Sequence, residues 1–165
     1  MDVIQKKISM LGAFATGKTS MVQQFVHSMF SEKYHTTVGV KVDKKEVKLG
    51  SGPMNLLLWD LAGEDEFQRV QTSYLRGSSG YMFVADGTRA GTLDHALELR
   101  KTVREMVGDA PSVLALNKFD LKAEWDLPAD AVNGLAEPEW RVLRTSAKTG
   151  EGVEEAFLWL AQQMR

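Results

Sequence analysis

The sequence predicts an α/β fold: a six-stranded, mostly parallel sheet with one antiparallel edge strand and helices on both faces. Three observations carry this. Short apolar runs alternate with segments of three-and-four apolar spacing along the 165 residues, which is how parallel strands and their covering helices read. Several runs are apolar at nearly every position, as strands buried on two faces are. The stretch Val38–Leu49 instead alternates apolar with polar or small residues and leads into Gly50-Ser51-Gly52-Pro53. That pattern marks a turn closing an antiparallel hairpin with one solvated face.

Taken in order, strand one covers about residues 3–11. Met21, Val22, Phe25 and Val26 then give a helix face ending near Phe30, and residues 31–37 are a polar loop. The hairpin follows, its second arm being Met54–Trp59. Gly80–Asp86 reads as a central strand, and Leu93, Ala96, Leu99, Val103 and Met106 stripe the next helix. Val113–Leu116 and Val142–Thr145 are further strands, and Val153, Phe157, Leu160 and Met164 stripe the last helix. Between them, Pro128 opens a short helix and Pro138 precedes the sixth strand. No repeat or linker interrupts the chain, so residues 1–165 read as one domain.

The chemistry sits where strands end. Gly12-Ala13-Phe14-Ala15-Thr16-Gly17-Lys18-Thr19 fits G-x-x-x-x-G-K-[ST] between a strand and a helix. That order aims backbone N–H groups and a helix N-terminus at a polyphosphate. Trp59 leads into Asp60-Leu61-Ala62-Gly63, a carboxylate at a strand tip and a glycine three residues on. Asn117-Lys118-Phe119-Asp120 and Thr145-Ser146-Ala147-Lys148 end two more strands. An open α/β sheet binds its ligand along this edge.

With these motifs, with Tyr34-His35-Thr36-Thr37-Val38-Gly39 and with Tyr74-Leu75-Arg76-Gly77, the chain resembles the Ras superfamily of small GTPases, the Rab-like branch most closely. The resemblance implies a phosphate-loop G domain that binds GTP or GDP with Mg²⁺ and hydrolyses GTP. It implies that Gly12, Ala15, Thr16, Gly17, Lys18, Thr19 and Ser20 cradle the phosphates, with Lys18 on the β/γ oxygens. Thr19, Thr37 and Asp60 would complete the Mg²⁺ shell. Asp120 would accept from the guanine N–H groups, Asn117 would brace the loop, the Lys118 stem would cover the base, and Ser146, Ala147 and Lys148 would close the base pocket. Phe30 stands against the guanine edge in this reading, or is a helix-end core residue; Tyr34 lids the phosphates. Thr37 and Gly63 would contact the γ-phosphate through backbone N–H groups, which is what makes switches I and II sensitive to it. Effectors, exchange factors and activating proteins would meet residues 31–42 and 61–77, where Val42, Trp59 and Tyr74 take the positions of an aromatic triad. Trp125, Trp140 and Trp159 read as packing residues, and Arg69, Arg76 and Arg89 as surface or structural ones.

Two residues depart from the family pattern. Glu64 stands where the water-positioning glutamine belongs. Ionised, it offers acceptors only and adds negative charge to an anionic transition state. Phe14 stands at a loop position that Ras proteins fill with glycine, in the path of an arginine finger. Slow hydrolysis is the expectation, with Lys18, Thr37, Gly63 and Glu64 as the catalytic set. The alternative is a GTP-binding scaffold with little turnover.

Composition sets limits. A net charge of −2 with no basic run argues against a nucleic-acid partner. No run of about 18 apolar residues suggests a membrane span, and the first residues carry no leader or myristoylation pattern. With no cysteine there is no disulfide and no prenylation site. A cytoplasmic protein is expected, attached to membrane only through a tail or partner outside this chain; a tail-truncated and a prokaryotic member both fit.

Overall fold

The computed structural model of the protein describes residues 3–30, 40–61, 72–127, 135 and 140–164. In chain order these form β1 (Ile4–Gly12), α1 (Lys18–His27), β2 (Val40–Leu49), β3 (Gly52–Leu61), α2 (Thr72–Leu75), β4 (Ser78–Asp86), α3 (Ala90–Val107) and β5 (Ser112–Asn117). A 3-10 turn (Phe119–Glu124), β6 (Trp140–Arg144) and α4 (Val153–Gln163) follow. The sheet order is β2-β3-β1-β4-β5-β6, with β2 antiparallel to β3 and every other pairing parallel. This is the α/β architecture expected from the alternation of runs. The order reverses direction at β1, so the crevice at the strand C-termini opens beside the loop after β1.

Strand side chains alternate between two separate cores, because successive residues point to opposite faces. Met82, Val84, Val113 and Ala115 join Ile8, Met10, Leu56 and Leu58 under α1 and α4. Tyr81, Phe83, Ala85, Leu114 and Leu116 join Leu11 and Trp140 under α2 and α3. Phe25 of α1 stacks on Phe157 of α4 at 4.3 Å between ring centroids, locking the two helices together over the sheet. Tyr74 ties α2 to the sheet: its hydroxyl donates to the carbonyls of Trp59 (2.5 Å) and Met10 (3.2 Å).

Several sequence expectations shift on contact with these packing constraints. The first helix stops at His27, capped by Ser28 in the left-handed region, so Phe30 lies beyond it with its ring exposed. The hairpin turn narrows to Gly50 and Ser51, since Gly52 and Pro53 already pair in β3. The edge strand is solvated more widely than alternation predicts: Val40 and Val42 are exposed and only Val47 is buried. On α3 the core stripe ends at Val103; Met106 in the last turn is exposed, and the Thr92 hydroxyl occupies a buried place near the start. Trp140 is fully buried, while Trp125 and Trp159 pack at the margins. Pro128, Pro138 and the start of the edge strand at Val38 lie outside the described residues.

Candidate functional site

The loop after β1 has the backbone of an anion cradle. Gly12 has φ 155, Ala15 φ 60 and Gly17 φ 104, and left-handed residues within a tight turn direct consecutive amides inward. Neither glycine has room for a side chain. A Cβ on Gly12 would strike the Val84 carbonyl, and one on Gly17 would strike the Asn117 side-chain amide. The loop ends where α1 begins, at Lys18. The buried Lys18 ammonium rests on the loop itself, donating to the carbonyls of Gly12 (2.8 Å) and Ala13 (3.4 Å). Thr16 closes the turn by donating to the Ala13 carbonyl at 3.0 Å.

Thr19, one residue into the helix, donates its hydroxyl to the carboxylate of Asp60 at the tip of β3. A hydroxyl and a carboxylate brought together at a phosphate cradle are hard oxygen donors. They suit Mg²⁺, which takes few protein ligands and completes its octahedron with phosphate and water. Among the described residues no group of three or more His, Cys, Asp or Glu side chains gathers as a metal cage.

Asn117 at the end of β5 joins three loops. Its side-chain amide donates to the Thr16 carbonyl at 2.9 Å, reaching the phosphate loop from 101 residues away. Its carbonyl oxygen accepts from the Thr145 hydroxyl and the Ala147 N–H, both at 3.2 Å. Ser146 donates to the Asp120 carboxylate at 2.7 Å and accepts from the Thr149 N–H at 3.1 Å. Asp120 is exposed, so this hydrogen bond fixes a carboxylate that faces open space. The phosphate loop and both base-side loops are thus one hydrogen-bonded unit.

Asp86, at the end of β4, carries no motif and was not among the sequence candidates. Its buried carboxylate takes the Lys118 ammonium at 2.8 Å, the Arg89 guanidinium at 3.0 Å, and the hydroxyl and amide of Thr88 at 2.7 and 2.9 Å. Burial by itself raises the Asp86 carboxyl; the donors from Lys118, Thr88 and Arg89 outweigh it and hold the group below its ordinary range. Arg89 also donates to the Phe14 carbonyl at 2.8 Å, so the guanidinium links the phosphate loop to the Asp86 turn. The strand-end rule that picked Asp60 and Asn117 also applies to Asp86. Arg89 had no comparable signal.

Gly12, Ala15, Thr16, Gly17, Lys18, Thr19, Ser20, Asp60, Asn117, Lys118, Asp120, Ser146, Ala147 and Lys148 all fall at the C-terminal ends of strands, on the loops that follow them or at the helix start beside them. Phe14 stands on the phosphate loop with its ring 44% exposed. The exposed Phe30 ring rules out the helix-end core reading. Trp59 is half-buried, with the Lys7 ammonium 3.8 Å from its ring centroid, and Tyr74 is buried beside it. Of the triad positions only Val42 is exposed. Tyr34, Thr37, Gly63 and Glu64 lie outside the described residues.

A mostly parallel sheet with a glycine-rich phosphate loop after its first strand defines a P-loop nucleotide-binding protein. More narrowly, the chain belongs to the Ras family, whose family model matches residues 7–165. It is 32% identical over 162 residues to Ras-related protein Rab-1 of Theileria parva, covering 96% of this chain and 74% of that protein. It is 35% identical over 161 residues to Ras-related protein Rab-4A of Mus musculus, covering 96% of this chain and 73% of the relative. It is a Rab-like small GTPase, a GTP-binding switch. Ras-family GTPases bind GTP or GDP with Mg²⁺ and meet effectors, exchange factors and activating proteins. Among the described residues no helix is long and apolar enough to cross a membrane.

Proposed function

We propose that residues 1–165 form one G domain that switches between GTP and GDP states, selects guanine through Asp120, and hydrolyses GTP slowly. The observation that carries the binding half is the Asn117 brace, which holds the phosphate cradle and the Asp120–Ser146–Ala147 surface at fixed separation. In this reading Lys18 leaves the carbonyls of Gly12 and Ala13 for the β/γ-phosphates. Ala15, Thr16, Gly17 and Ser20 present the cradle, and Thr19, Asp60 and Thr37 hold Mg²⁺. When bound, the ion neutralises charge on the β- and γ-phosphate oxygens. The open Asp120 carboxylate accepts from the guanine ring N–H and exocyclic amine, and the Ala147 N–H addresses O6. The Lys118 stem lies under the base, with Phe30 at its edge. Adenine offers Asp120 no donor pair, and an unsatisfied charged acceptor rejects such analogues strongly. Thr37 and Gly63 sense the γ-phosphate, with Tyr34 over it, and partners read the result at 31–42 and 61–77. The protein works in the cytoplasm unless a tail or partner adds an anchor.

Hydrolysis is slow in this reading because Glu64 gives the attacking water no donor and brings charge of the wrong sign. The exposed Phe14 ring also crowds the loop's outer face, where a partner's arginine would enter. Single-turnover GTP hydrolysis by wild type beside Glu64→Gln and Phe14→Gly tests this. Wild type should be nearly inert, and at least one substitution should speed cleavage. Ready cleavage by wild type that slows in Glu64→Gln would make the carboxylate catalytic and the reading wrong. Inertness in all three, with tight GTP binding, would favour the scaffold.

A further inference from the structure

Trp125 belongs to no motif, yet its indole is built into the loop that carries Lys118. The indole N–H donates to the Lys118 carbonyl at 2.8 Å, beside the Leu121 N–H, which donates to the same oxygen at 2.8 Å. Lys118 is left-handed, with φ 69, a conformation that side-chain-bearing residues adopt uncommonly and at some cost. The ring sits edge-on to Phe119 at 5.4 Å. Its other side lies against Gly87, where a single added methyl would run into the six-membered ring. The next residue fastens the arrangement: the Asp126 N–H donates to the Gly87 carbonyl at 2.8 Å. Gly87 directly follows Asp86, whose carboxylate holds the Lys118 ammonium at 2.8 Å.

Lys118 is therefore gripped at both ends, its carbonyl by Trp125 and its ammonium by Asp86, with both grips anchored in the same turn after β4. We infer that Trp125 is a positioning residue that sets the residence time of the guanine nucleotide by holding the Lys118 backbone and stem under the base. The inference rests on the guanine-binding reading proposed for this site. The contacts of Trp125 are with the Lys118 loop and with Gly87, so its effect enters the site through Lys118. Holding Lys118 in place before the nucleotide arrives lowers the ordering cost of binding.

The experiment is release of a fluorescent GDP analogue from Mg²⁺-loaded protein into excess GDP. Trp125→Phe keeps an aromatic ring on Gly87 and loses the N–H; it should speed release about five- to tenfold, the loss of one partly buried hydrogen bond. Gly87→Ala, which displaces the indole without touching its chemistry, should speed release by a comparable factor. Trp159→Phe, in α4 on the opposite face of the sheet, should release at the wild-type rate. Removing Mg²⁺ with EDTA should accelerate wild type and Trp125→Phe by the same factor, because separate contacts add; a general loosening of the fold would not keep that ratio. Wild-type release rates in both Trp125→Phe and Gly87→Ala would overturn the inference while leaving the guanine reading standing. Wild type that retains no guanine nucleotide would overturn both.

Discussion

Replacing Asn117 with alanine tests whether the three loops are one unit even before nucleotide binds. The side chain is 2% exposed and makes three hydrogen bonds, one donated to Thr16 and two accepted from Thr145 and Ala147. Each such bond contributes about 1 kcal/mol net, and buried partners left without one add about 1–3 kcal/mol. The two 3.2 Å bonds are long, so the expected cost is on the order of 3 kcal/mol. For a chain of this length that corresponds to a fall in Tm of roughly 6–12 °C. Thermal unfolding of nucleotide-free protein reads this term directly. Unfolding with excess GDP adds the binding term, which grows with the logarithm of ligand over Kd. Asn117→Ala should fall in both, and further with GDP present than without. A nucleotide-free Tm within 2 °C (about 0.5–1 kcal/mol) of wild type would refute the brace, whatever happened to GDP affinity.

Other outcomes follow from the same geometry. Asp120→Asn should weaken GDP binding by about a hundredfold or more, since a charged acceptor facing two donors is lost; unchanged affinity in a competition titration would remove Asp120 from the base edge. Asp86 has its carboxyl held below the ordinary 3.8 in the folded state. Its stabilising contribution is therefore complete above that value and is lost as pH falls through the lower folded one. Wild type should lose stability more steeply below about pH 4 than Asp86→Asn does, as followed by denaturant midpoints across pH. Tyr74→Phe removes one donor shared by the Met10 and Trp59 carbonyls and should cost about 1–2 kcal/mol in urea unfolding. GDP release should stay unchanged, because Tyr74 packs in the core under α2 and α3; faster release would tie Tyr74 to the site.

The phosphate loop was legible because its backbone leaves little choice: Gly12 and Gly17 stand where a Cβ meets Val84 or Asn117. Asn117 and Asp120 were legible because the run Asn117-Lys118-Phe119-Asp120 begins at the end of an unmistakably apolar strand. Asp86 ends an equally apolar strand but is followed by Gly87-Thr88-Arg89, an ordinary turn, so its role shows only when Lys118 is seen folding back onto it. The Arg89 contact with Phe14 spans 75 residues and leaves no trace in local spacing. Trp125 read as packing, which is half of what it does; the hydrogen bond to Lys118 depends on a 3-10 turn too short to show helical periodicity. On α3 the stripe continued one turn too far, because periodicity persists to Met106 while the covering sheet does not.

Equilibrium competition against a bound fluorescent GDP, with Mg²⁺ present, tests the guanine-selective site most directly. GDP should displace the probe at stoichiometric concentrations. IDP, which lacks the exocyclic amine and so gives Asp120 one donor instead of two, should be weaker by about tenfold. ADP should fail even at about a thousandfold excess. Displacement by ADP as effective as by GDP would contradict the assignment of Asp120 and the site built around it.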